Sequence, residues 1–137
     1  MKKIVIIDGQ GGRMGKGILE QLRQKQVKAE IGAVGTNSIA TATMLKAGAD
    51  WGATGENPVL VACRNADIIA GPIGIVVADY LFGEVTPAMA IAVGQSSAQK
   101  VLLPANLCGN YVVGTGQLTL TQAVQLAAEH ILQLCEN

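Results

Sequence analysis

Aromatic side chains are nearly missing from the 137 residues: Trp51, Tyr80, Phe82 and Tyr111 are all there are. So few ring faces argue against the stacked-aromatic platforms that hold single-stranded nucleic acid. Charge is also sparse, at 15% of residues against 50% hydrophobic, which excludes a disordered chain and leaves more apolar surface to bury than a small monomer ordinarily covers. Self-association, as a homodimer or a higher homo-oligomer, is the expected outlet. Cysteine is limited to Cys63, Cys108 and Cys135, odd in number and without CxxC spacing, so neither a disulfide framework nor a zinc site is indicated. Reduced thiols fit a cytoplasmic location. No signal-type segment precedes the first strand, and the longest uncharged apolar stretch, residues 68–78, is broken by Gly71, Pro72 and Gly74 and too short to span a bilayer. Neither nucleic acid nor membrane is an expected partner.

What is present is small and aliphatic, with 17 glycines, in a length that fits one domain over residues 1–137. The run Lys3-Ile4-Val5-Ile6-Ile7 reads as a strand buried on both faces, and a helix with Met14, Ile18, Leu19 and Leu22 at helical spacing follows to about residue 26. A second strand spans 30–34. Thr36-Asn37-Ser38 supplies cap residues for a helix to Lys46, which Gly48 stops. A short strand over 49–54 precedes Asn57-Pro58, which is read as cap plus proline opening a helix to about residue 65. A fourth strand covers 67–71 and turns at 71–74. Helices are expected at 75–82 and, after Thr86-Pro87, at 87–94; strands at 100–103 and 111–113; and a closing helix from Thr119 to about Leu134. This alternation predicts an α/β fold: a three-layer, Rossmann-like, doubly wound and mainly parallel sheet of five to six strands.

Ligands in such folds sit beyond the carboxyl ends of the strands, so the loops there are the candidates. Foremost is Gly9-Gln10-Gly11-Gly12-Arg13-Met14-Gly15, between the first strand and its helix, where glycines allow a sharp turn and close approach of a phosphate to helix N-terminal amides. Binding candidates are Gly9, Gln10, Gly11, Gly12, Arg13 and Met14; Gly35, Thr36, Asn37 and Ser38 after the second strand; and Gly71, Pro72 and Ile73 after the fourth. A tight turn without ligand, with Thr36-Asn37-Ser38 serving only as a cap, is the competing reading. Asp8 fits better as a cap for the loop amides than as a ligand group. Charge suits an anion, with solvated helix faces as the alternative: residues 1–64 hold nine of the ten basic residues against five acids, whereas 65–137 hold Lys100 against five acids. The segment 74–94 has only Asp79 and Glu84 as charges, which points to burial against a second copy, with burial in the core alone as the alternative.

No catalytic constellation is found. His130 lies between Leu126 and Leu134 on the closing helix with no set of ligands around it and reads as structural; Cys108, following Pro104-Ala105-Asn106, has no base to activate it. The GxxGxxG spacing of Gly9, Gly12 and Gly15 resembles the extended and atypical short-chain dehydrogenases, which implies NAD(P) as ligand, and Gly12-Arg13-Met14-Gly15 resembles the loop of dihydrodipicolinate reductase. Yet the acidic residue expected after the second strand is replaced by Gly35-Thr36-Asn37-Ser38, and Tyr80 and Tyr111 lack a lysine four places on. Segments 7–12, 34–41, 46–50, 55–57, 71–75 and 86–90 resemble a family of short bacterial proteins known only as a domain of unknown function, departing from it at Arg13-Met14. The expectation is a nucleotide- or NAD(P)-binding module, acting as a sensor or accessory protein. A small reductase or transferase drawing groups from Asn106, Cys108 or a second subunit, and a ligand-free assembly protein, are the alternatives. Replacing Gly12 by valine is expected to abolish ligand binding and spare the fold.

Overall fold

The first strand, β1 (Lys2–Asp8), shows why the sheet is central: Ile4 and Ile6 point to one face and Val5 and Ile7 to the other, and all four are buried. In the computed structural model, which describes residues 1–105 and 109–137, β1 pairs in parallel with β2 (Ala29–Gly35) and β4 (Ile68–Pro72). β3 (Trp51–Thr54) and β5 (Gln99–Leu103) form the edges, giving the all-parallel order β3-β2-β1-β4-β5. Strand order therefore reverses between β1 and β4, and the loops leaving those two strands flank a crevice.

Helices cover both faces. On one, α1 (Arg13–Gln24), α2 (Ser38–Lys46) and α5 (Leu120–Glu136) bury Ile18, Leu19, Leu22, Met44, Val124 and Ile131 against Ile4, Ile6 and Ile31. On the other, α3 (Glu56–Asn65) and α4 (Pro87–Gln95) bury Val59, Met89 and Val93 against Val5, Ile7 and Ile69. Local chemistry sets the helix starts. Asn37 accepts from the Ala40 amide at 2.9 Å, Thr86 from Met89 at 3.2 Å, and Thr119 and Gln122 form a reciprocal capping box.

Three expectations are corrected. No helix forms over 75–82: residues Ile73–Val76 make one 3-10 turn, and the chain continues in turns with Asp79, Leu81 and Phe82 in the left-handed region. The run Ile75-Val76-Val77 is β-branched and has no cap, so local propensity resists a regular helix while Tyr80, Leu81 and Val85 bury themselves in the core. Residues 111–113 form no strand; Tyr111 and Val113 are 74% and 84% exposed, and β5 remains the edge. Finally, α3 starts at Glu56 with Gly55 as its cap residue, so Pro58 stands third in the first turn, where its missing N–H costs nothing. Asn106 and Cys108 lie outside the described residues.

Candidate functional site

The glycine loop joins β1 to α1 at the crevice, and two carboxylates already hold much of it. Asp8, at the end of β1 and 5% exposed, accepts from the Gly9 amide at 2.8 Å and the Gly15 amide at 2.7 Å. Its side chain thus complements the positive end of α1, as a phosphate would. Burial pushes the Asp8 carboxyl above the ordinary range; hydrogen bonds from the Gly15, Gly9 and Met14 amides pull it back, and the nearby Glu84 charge adds to the rise.

Glu84 supplies the second carboxylate from across the chain. Its Oε1 accepts from the Gln10 amide at 3.0 Å, the Thr36 hydroxyl at 2.6 Å and the Asn37 side-chain amide at 2.9 Å. Desolvation raises the Glu84 carboxyl, but the bonds from Thr36, Gln10 and Asn37 outweigh it and leave the group below the ordinary range. Leu81 closes the same side. A Cβ on Gly9 would stand 2.6 Å from both Leu81 Cδ1 and Thr36 Oγ1, so any larger residue would make the side chains of Leu81, Thr36 and Glu84 shift.

The loop's other wall stays open. A cleft of about 210 Å³ is lined by Asp8, residues 9–14, Pro72, Tyr80, Leu81, Ala105 and Leu120. Of the sequence candidates, it brings together Gly9, Gln10, Gly11, Gly12, Arg13, Met14 and Pro72. Gly35, Thr36, Asn37, Ser38, Gly71 and Ile73 do not line it. Thr36 and Asn37 face Glu84, Ser38 is exposed at the start of α2, and a side chain on Gly71 would run into the Ile7 carbonyl. Gly12 donates to the Gly9 carbonyl at 2.9 Å. With the Gly9, Gln10, Met14 and Gly15 amides also engaged, the Gly11 and Arg13 amides are the two in the loop without an acceptor among the described residues.

Gly12 is fixed by packing as well as by the loop. Its φ is +74°, and a Cβ would lie 2.9 Å from the Ala40 carbonyl oxygen on α2, a backbone atom that cannot swing away. Valine there would distort the helix pair, so the expectation that this replacement spares the fold is corrected.

Asp8 acts as the loop cap the sequence indicated; Glu84 escaped notice, and its only signal was being one of two charges in a long apolar segment. His130 is exposed on α5 and lines a separate groove with Val101, Leu103 and Leu126 rather than the glycine cleft. The described residues contain no group of three or more His, Cys, Asp or Glu that could hold a metal. None of their helices is long and apolar enough to cross a membrane.

The parallel sheet, the helices on both faces and the glycine corner at the β1/β4 switch define an α/β protein of the doubly wound class. Within that class, the chain belongs to the family described as a domain of unknown function, DUF3842, whose model matches residues 3–136. No curated protein matches it. Among solved structures it is similar to a dodecameric FMN-dependent UbiX-like decarboxylase from Escherichia coli O157:H7, with 16% identity over 98% of this chain and 95% of the other, at a TM-score of 0.54. That likeness is one of fold.

Proposed function

We propose that this protein binds the phosphate of a mononucleotide-type ligand in the cleft beside the glycine loop. The observation that carries the reading is the pair of Gly11 and Arg13 amides, without acceptors among the described residues, on a loop that walls the cleft. N–H donors two positions apart, on either side of a helix N-cap, suit a phosphate oxygen. NAD(P), expected from the loop spacing, fits less well: the adenosine half of a dinucleotide belongs at the end of the second strand, and there Glu84 and Leu81 cover Gly9, Thr36 and Asn37. The decarboxylase of similar fold is FMN-dependent, and FMN carries a single phosphate, so it is the first ligand to test.

The cleft's 210 Å³ is smaller than the about 300–1,000 Å³ of ordinary ligand pockets. It holds a phosphate and part of a sugar, and the rest of the ligand needs another surface. A second copy would supply one. Helix α4 has no charged residue, and its Ile91 is 55% exposed, so an apolar face is available for self-association. The similar decarboxylase is a dodecamer. A ligand-free assembly protein is the second reading, favoured by the Glu84 and Leu81 side chains packed over half of the corner.

Melting the protein with FMN, AMP, NAD, NADP or inorganic phosphate separates the two, because a ligand that binds only the folded state raises the melting temperature. A rise with FMN or AMP, accompanied by sedimentation of more than one copy, is expected. No shift with any of the five at millimolar concentration would leave the assembly protein as the better account.

A further inference from the structure

The strap between β4 and α4 makes a choice between ligands. We infer that Glu84 is a built-in competitor: it occupies a second polar cradle, made by the Gln10 amide, the Thr36 hydroxyl and the Asn37 side-chain amide, and so keeps out the second nucleotide half of a dinucleotide. This rests on the mononucleotide reading of the neighbouring cleft and adds a rule for selectivity.

Three donors from two separate loops converge on one oxygen, Glu84 Oε1, at 2.6 to 3.0 Å. Thr36 and Asn37 follow β2, where folds of this class bind the ribose hydroxyls of a dinucleotide, and here no acidic residue of that turn is present to do so. The carboxylate thus sits where the second half of such a ligand would lie, making hydrogen bonds that its sugar oxygens or phosphate would otherwise make. Cradle and cleft are adjacent yet distinct, since Gln10 takes part in both and Glu84 does not line the cleft.

The strap is anchored in the core by Tyr80, Leu81 and Val85, yet its backbone is strained. Asp79, Leu81 and Phe82 adopt φ of 66°, 58° and 56°, left-handed conformations that side chains avoid, within four residues of one another. Phe82, next to Leu81 in the chain, is 98% exposed, so a large apolar group of the strap is held in water. The hydrogen bonds of Glu84 and the seating of Leu81 over Gly9 join the core packing of Tyr80 and Val85 in holding the strained segment against the glycine corner. Loss of the Glu84 carboxylate removes the first of these.

The test compares the wild type with Glu84→Ala and Glu84→Gln. Hydrogen exchange, without ligand, is expected to show the Gln10 amide and residues 77–85 exchanging at least tenfold faster in Glu84→Ala, with β1, β4 and α1 unchanged; equal protection in both proteins overturns the strap. Calorimetric titration with NAD and FAD is expected to show at least tenfold tighter binding by Glu84→Ala than by the wild type, with Glu84→Gln between them. Dinucleotide binding that is equal, or absent, in both proteins overturns the competition. FMN affinity is expected to change by less than the dinucleotide affinities, because the Gly11 and Arg13 amides keep their places while Tyr80 and Leu81 of the strap line the cleft. Failure of both FMN and AMP to bind any of the three proteins refutes the mononucleotide reading, while the exchange result still decides the strap.

Discussion

Truncating Asp8 to alanine should cost the protein stability before it costs it any ligand. The Asp8 carboxylate is buried and holds the Gly9 and Gly15 amides, both on buried residues, at 2.8 and 2.7 Å. Alanine leaves those two donors without a partner, at about 1–3 kcal/mol each. The end of α1 also loses its charge complement, roughly 0.5 kcal/mol. Against this, the mutant no longer buries a carboxylate, so a net loss of about 2–4 kcal/mol is expected. With an unfolding entropy of about 2.1 cal/mol/K per residue, a chain of 137 residues loses ~3.5 °C per kcal/mol, so the melting temperature should fall by roughly 7–14 °C. Asp8→Asn keeps one acceptor oxygen and should lose about half as much. Urea denaturation followed by circular dichroism measures both. A change below about 0.5 kcal/mol in Asp8→Ala, together with lost FMN binding, would refute the capping role and make Asp8 a ligand residue.

Opposite pH signatures should distinguish the two carboxylates. Asp8 titrates above its ordinary value, so the folded state favours its protonated form: the stability it adds is full in acid and is lost as pH rises through its folded pKa, and the gap between wild type and Asp8→Asn should narrow across that rise. Glu84 titrates below its ordinary value, so its contribution is full above that value and disappears as pH falls through the folded pKa, and the gap to Glu84→Gln should shrink in acid. Gaps moving the other way in urea titrations at several pH values would reverse the assignment. Burial pushes the Cys63 thiol up from 9.0 to about 11, so near neutral pH its thiolate fraction is ~100-fold below that of a free cysteine. Iodoacetamide should label Cys63 in the folded protein at least that much more slowly than in urea; labelling at similar rates would contradict its burial.

The fold was legible where local signals agree. Lys3 to Ile7 is β-branched and nearly continuous because β1 is covered on both faces, and Asn37, Thr86 and Thr119 announce helix starts through side chains that bond their own backbone. Signals failed where tertiary packing overrules spacing. Residues 75–82 carry apolar spacing compatible with a helix, but Tyr80 and Leu81 reach the core through a strained turn, and residues 111–113 have strand-like side chains yet take no strand conformation, with Tyr111 and Val113 exposed. The candidate site divides the same way. Glycine spacing located the loop, and Asp8 was adjacent in sequence to the amides it caps. Glu84 is 74 positions from Gln10, and no local pattern marks a carboxylate that comes to a loop from that distance.

A crystal structure grown with saturating FMN tests the central claim most directly. The account predicts its phosphate against the Gly11 and Arg13 amides, in the cleft formed with Pro72, Tyr80 and Ala105, and Glu84 still bonded to Gln10, Thr36 and Asn37. A cleft that stays empty of ligand, or one filled by protein side chains, would contradict it.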